Sequence, residues 1–319
     1  MKIVRKKLGS ALLTGLFESS AFLSSKLPVS QPERYGVEIC RDIPYTHSGL
    51  KAHSLDVYRP KERHGKLPVV LFIHGGGFRI LSKETHWLMA LTLARAGYVV
   101  FNINYRLAPK YPFPAAVEDA AAAYCWVVEN AAAYDGDIQK LVITGESAGA
   151  NLSCAVTVAA TYERTEYFCK NIWDTGVVPQ AVMPFCGLLE VENWQRFIGH
   201  PRLPTLFQDR LETVSSEYTR GIEFRGDVLR ELANPLLILE QQAPDRPLPP
   251  FFAPVGGADF VQEDCKRLKI ALTAKGVYCD APVYLGEPHA FHAFIWRKNA
   301  RKCWQETFRF LDAVWNKAL

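Results

Sequence analysis

Long hydrophobic runs are missing from this 319-residue chain. No stretch reaches the roughly 18 apolar residues that a membrane-crossing helix requires, so no stable membrane span is expected. The eight cysteines (Cys40, Cys125, Cys154, Cys169, Cys186, Cys265, Cys279 and Cys303) include no Cys-x-x-Cys pair and no Cys/His spacing of a zinc site. A core of this size needs no disulfides, which points to free thiols and a cytoplasmic location. Charge of one sign is also scarce: 37 Lys and Arg against 33 Asp and Glu leave a net +4. The only basic cluster is Lys2, Arg5, Lys6 and Lys7, too short for the stripe that a nucleic-acid partner demands. Neither GxGxxG nor GxxxxGK[ST] occurs, so no nucleotide cofactor is expected, nor any other cofactor or metal. What is present, 49% apolar and 22% charged residues, excludes a disordered chain.

The N-terminus faintly resembles a signal peptide, with basic residues followed by Ala11-Leu12-Leu13-Thr14-Gly15-Leu16-Phe17. The apolar run ends at Glu18, and an amphipathic helix with Leu12, Leu16, Ser19 and Leu23 near one face is the better reading. The single sequon, Asn151-Leu152-Ser153, falls where a glycan could hardly fit.

From about residue 39 onward, strand and helix patterns alternate. Pro68 to Ile73 is a short run too apolar to be half exposed, as a buried parallel strand should be. Further strands are expected at 55–58, 98–102, 140–144, 181–184, 251–255 and 281–284. Helices are expected up to Ala96, over Ala115–Asn130, up to about Tyr162, over Phe260–Ala274 and from about Arg301. Residues 187–248 show no strand alternation and read as a helical or loop excursion. The alternation implies a mostly parallel central sheet flanked by helices, the α/β class.

Ser147 is the sharpest chemical signal. A serine hydroxyl attacks poorly unless it is exposed, rigid and served by a base. Gly145-Glu146-Ser147-Ala148-Gly149 sits between a buried-type strand and a helix, and its glycines permit a cramped turn that pushes Oγ outward. Upstream, His74-Gly75-Gly76-Gly77 leaves the N–H groups of Gly75, Gly76 and Gly77 uncovered to face a developing oxyanion, with Ala148 completing the hole. His74 reads as a structural histidine that fixes this loop. In folds built around such an elbow the chain order is nucleophile, acid, histidine. Only His289 and His292 lie beyond His200, and His289, after the last strand, is the expected base. Asp259, at a strand end, is favoured as the acid over Glu263 and Asp264 on the following helix. Phe78, Phe185, Phe207, Tyr218 and Phe224 are candidates for an apolar substrate pocket, with ordinary core packing as the alternative.

The chain resembles the hormone-sensitive-lipase-type branch of α/β-hydrolase carboxylesterases. The residues carrying the resemblance are His74-Gly75-Gly76-Gly77-Phe78, Tyr105-Arg106-Leu107-Ala108-Pro109, Pro112 to Asp119, Gly145 to Leu152, Leu248-Pro249-Pro250, Gly256-Gly257-Ala258-Asp259 and His289-Ala290-Phe291. It implies an α/β-hydrolase fold with Ser147, Asp259 and His289 as triad and the N–H groups of Gly76, Gly77 and Ala148 as oxyanion hole. It also implies one domain over residues 1–319, with a helical cap from 1–40 and about 188–230. Family members usually carry Asp or Thr at Glu146, Gly at Ala150, Gly at Ala290 and Pro at Phe260.

The expected activity is hydrolysis of small-molecule carboxylic esters with short to medium acyl chains. A biosynthetic esterase, lactone-forming or acyl-transfer enzyme would use the same triad. A non-catalytic receptor, like the gibberellin receptors that lose the histidine, is disfavoured because His289 is present. A homodimer is compatible with the sequence.

Overall fold

The computed structural model describes residues 15, 19, 30–198, 203, 205–222 and 227–319, without the side chains of 205–207 and 227–228. The expected N-terminal helix and most of the first cap segment therefore lie outside the described residues, as does Phe224.

Eight strands form the main sheet in the order β1-β2-β4-β3-β5-β6-β7-β9. They are β1 (Val37–Pro44), β2 (Ser54–Pro60), β3 (Leu67–Ile73), β4 (Val99–Ile103), β5 (Gly136–Glu146), β6 (Ala181–Phe185), β7 (Phe251–Phe252) and β9 (Cys279–Asp280). β1 and β2 pair antiparallel, as do β2 and β4; every other pairing in the sheet is parallel. The apolar runs dictate this placement. All five residues of β4 and of β6 are buried, as strands covered on both faces must be.

Two expected strands are each interrupted. The segment 251–255 appears as β7 and β8 (Val255–Gly256), and 281–284 contributes β10 (Val283–Tyr284), which pairs with β8 apart from the main sheet. Pro254 and Pro282 cause the breaks, since neither has an N–H to donate. The hydrogen bonds nevertheless continue at every second residue: Phe251 N–H to Tyr278 O, Ala253 to Asp280, Val255 to Pro282 and Gly257 to Tyr284, at 2.7–3.0 Å.

The helices are α1 (Trp87–Arg95), α2 (Ala115–Asn130), α3 (Ala148–Thr161), α4 (Tyr167–Asp174), α5 (Thr205–Tyr218), α6 (Asp227–Glu231), α7 (Pro235–Gln241), α8 (Gln262–Ala274) and α9 (Lys298–Trp315). Every residue of α3 is buried. Its hydroxyls are satisfied within the helix, as Ser153, Thr157 and Thr161 each donate to the carbonyl four residues earlier at 2.8 Å. By contrast α9 buries a stripe, Ala300, Cys303, Trp304, Thr307, Phe310 and Leu311, at helical spacing.

Arg106 and Asp119, each within a resemblance motif, prove to be partners. The guanidinium donates to Asp119 Oδ1 from Nε at 2.9 Å and from Nη2 at 2.7 Å, and His53 Nε2 lies 3.0 Å from the same oxygen. These motifs fasten α2 to the loop after β4. The excursion after β6 is fastened likewise: Arg196 grips buried Asp264 at 2.6 and 2.7 Å, and Asp264 accepts the Leu189 N–H at 2.8 Å. No helix of the described residues is long and apolar enough to cross a membrane.

Candidate active site

Register brings the site together. Ile73, the last residue of β3, lies opposite Gly145 near the end of β5, so the glycine loop and the serine turn leave the same edge side by side. This edge is the carboxyl end of the parallel strands, where open α/β sheets bind ligands. Ser147 stands between β5 and α3 at φ 54°, ψ −109°, strained for any residue with a side chain. The turn closes because its glycines allow backbone contact: a Cβ on Gly149 would stand 2.0 Å from Ile73 O, and one on Gly145 2.4 Å from Gly149 O. The Ser147 N–H donates to Phe185 O at 2.9 Å, tying the elbow to the end of β6.

The glycine loop is equally constrained. Gly76 has φ 114°, and a Cβ there would lie 2.0 Å from Ile80 O. Among the described residues, neither Gly76 nor Gly77 donates its N–H to a protein group. Gly75 differs, and the reading of all three N–H groups as oxyanion donors is corrected at this position. Its N–H is directed at His86 Nε2 at 3.3 Å and is already engaged. His74 is buried, its Nδ1 donating to Gly75 O at 2.7 Å and its ring stacked on Tyr105 at 4.2 Å. Burial, reinforced by neighbouring His86, pushes its pKa down to about 3.

Asp259 and His289 meet as a pair: His289 Nδ1 lies 2.8 Å from Asp259 Oδ2, with the carboxylate fully buried and 28% of the histidine side chain exposed. Burial opposes the charged ring, but the Asp259 charge and hydrogen bond outweigh it and raise the His289 pKa above the ordinary 6.5. The second Asp259 oxygen accepts the Val261 N–H at 3.1 Å, so the same residue also closes the turn before α8. Asp264 is committed to Arg196, as described above. His292 is committed to Glu146, its Nε2 standing 3.0 Å from Glu146 Oε2. Burial alone would raise the Glu146 pKa; the hydrogen bond donated by His292 holds it well below the usual carboxylate value.

Cys186 Sγ, Asp259 and His289 place potential metal-ligand atoms within 4.8 Å of one another. Asp259 and His289 bind each other, however, and burial together with Glu146 and Asp259 pushes the Cys186 thiol pKa well up, keeping it protonated. That donor set does not suit a metal.

The aromatic candidates fall differently. Phe78 is fully buried and stacks on Tyr218 at 3.7 Å. Phe185 faces Phe252, His292 and Trp304, which is core packing behind the elbow. The Phe207 side chain lies outside the described residues. Asn151 of the sequon is buried and donates to Leu188 O and Ala233 O, leaving no room for a glycan.

A strained serine turn, flanked by free backbone N–H groups and an Asp–His pair at one sheet edge, is how serine hydrolases of the α/β-hydrolase class are built. Comparison with known proteins agrees. A family model described as alpha/beta hydrolase fold matches residues 70–293. The chain is 28% identical to the carboxylesterase NlhH of Mycobacterium tuberculosis over 251 residues, 78% of this chain and 73% of that protein. It is 32% identical to the chloroplastic tuliposide A-converting enzyme 2 of Tulipa gesneriana over 169 residues, 50% of this chain and 41% of that one. Among solved structures, the hyperthermophilic esterase of the archaeon Pyrobaculum calidifontis superposes with a TM-score of 0.72 at 24% identity, covering 99% of this chain and 98% of that chain. The chain belongs to the hormone-sensitive-lipase-type carboxylesterase family of α/β-hydrolases, and it is an enzyme of that type.

Proposed function

We propose that this serine ester hydrolase works through Ser147, His289 and Asp259 on short to medium acyl esters. The observation that carries the reading is the 2.8 Å Asp259–His289 pair beside the strained Ser147 elbow. With Nδ1 held by Asp259, the other ring nitrogen of His289 accepts the Ser147 proton as Oγ attacks the acyl carbon. The oxyanion takes the N–H groups of Gly76, Gly77 and Ala148, and His289 returns the proton to the leaving alcohol. Water, activated by the same histidine, then opens the acyl-enzyme. We assign the helices of the 188–230 excursion, with the N-terminal 40 residues, as a cap over the acyl pocket of a single domain; the α5 side chains against the glycine loop support this. The eight unpaired cysteines support a cytoplasmic location.

An organophosphonate probe tests the assignment: Ser147 should be labelled and Ser147→Ala should not, and labelling that persists at the site in the variant would refute it. Across p-nitrophenyl esters from C2 to C12, turnover should peak at the short to medium chains. A biosynthetic, lactone-forming or acyl-transfer reaction through the same triad is the alternative, which product mass spectrometry distinguishes.

A further inference from the structure

One cation near the site has a buried nitrogen with no partner among the described residues. Helix α5 lies against the glycine loop: Val214 Cγ2 is 2.7 Å from where a Cβ on Gly77 would stand, and Tyr218 stacks on Phe78. Residues four apart share a helix face, so Arg210, one turn before Val214, lies on the face turned towards the catalytic loops. Its side chain is half-buried, and its Nη1, which is fully buried, donates to no group among the described residues. Among the described residues no carboxylate forms an ion pair with Arg210, and the charged group acting on it is a second cation, Arg79, which is itself held by Glu217. Burial, with Arg79, lowers the Arg210 pKa, and the Arg210 charge in turn opposes protonation of His289.

Proteins rarely bury a guanidinium nitrogen without an acceptor, because desolvation is then uncompensated. The planar fork of an arginine fits a carboxylate with two parallel hydrogen bonds. We propose that Arg210 is a specificity-determining residue that receives a carboxylate on the substrate, so that the enzyme prefers esters bearing a second, ionised carboxyl group near the scissile bond. This rests on the esterase reading above. It gives the buried Nη1 its missing acceptor, and it would neutralise the charge that works against His289 as a base.

Paired substrates, one with an ionised carboxyl group and the other its methyl ester, test it. On the acyl side the pair is mono-p-nitrophenyl adipate and its methyl ester; on the alcohol side it is 4-carboxyphenyl butyrate and its methyl ester. The expected result is a kcat/KM ratio of charged to neutral substrate above one in at least one pair. That ratio should fall about tenfold or more in Arg210→Gln, mainly through KM, and be partly kept in Arg210→Lys, as expected for a hydrogen-bonded charge pair. Because the ratio is taken within each variant, a general loss of activity or of folded protein cancels. Ratios at or below one in both pairs, or a ratio that Arg210→Gln leaves unchanged, would overturn the proposal while leaving the esterase reading intact. Absence of turnover on the neutral esters together with unlabelled Ser147 would instead overturn the esterase reading.

Discussion

His74 makes the protein acid-sensitive in a way that can be isolated. Its imidazole is 1% exposed, donates to Gly75 O at 2.7 Å and lies flat against Tyr105. In the folded state its pKa is pushed down to about 3, whereas an unfolded histidine titrates near 6.5. The folded pKa is the lower one, so below pH 6.5 the unfolded chain takes up a proton that the native site refuses. Stability contributed by neutral His74 is complete above pH 6.5 and lost as pH falls towards 3. Each pH unit in that window costs about 1.4 kcal/mol, so about 2 kcal/mol disappears between pH 6.5 and pH 5. Other groups titrate as well, and the raised pKa of His289 acts in the opposite sense, so the wild-type curve alone does not isolate His74. His74→Asn retains an N–H donor for Gly75 O and carries no titrating group. Urea unfolding of both proteins at pH 7 and pH 5 should show the wild type losing about 2 kcal/mol more than the variant. Equal losses would mean that His74 is protonated in the native protein at pH 5, and the reasoning from its burial would fail.

Gly149→Ala would place a Cβ 2.0 Å from Ile73 O and 2.6 Å from His74 O, forcing the start of α3 away from the glycine loop. A displacement of about 1 Å at a nucleophile costs on the order of a hundredfold, so kcat/KM should drop by about that factor while circular dichroism remains native; near-wild-type turnover would contradict the elbow geometry. For wild type on a neutral ester, kcat/KM should fall on acidification with a midpoint above 6.5, because the base works only when neutral and Asp259 raises its pKa. Asp259→Asn should move that midpoint down and cut kcat by about 10⁴, and an unmoved midpoint would show that Asp259 does not set the base.

Much of this arrangement was legible because its signals are local. The runs at 68–73 and 181–184 are continuous and apolar, and only a doubly covered parallel strand fits them, which is how β3 and β6 sit. Ala115–Asn130 is a helix over the expected span, entered after Pro114. The expectation of single strands at 251–255 and 281–284 foundered on Pro254 and Pro282, although the hydrogen bonds run past both. Strand β1 went unread because its residues alternate only weakly between buried and exposed. At the site, Ser147 sits where β5 gives way to α3, and Asp259 and His289 lie in the loops after β8 and β10, a pattern that spacing reveals. Gly75 was grouped with its neighbours because nothing local marks His86, 11 positions later, as the acceptor of its N–H.

Glu146 shows why distant pairings escape a reading by motif. Taken alone, it is a departure from the Asp or Thr usual in the family, placed awkwardly beside the nucleophile. The structure gives it a partner 146 positions away, His292. His292 sits in the short turn after His289, and His86, facing the other Glu146 oxygen, holds the Gly75 N–H. One buried carboxylate thus touches the turn next to His289, the glycine loop and the elbow. An aspartate, one methylene shorter, would not span the same contacts without drawing the loops inward. The residue that looked like a deviation is therefore matched to its surroundings: Glu146 and His292 are each other's partners, and changing either alone leaves a buried polar group without its partner.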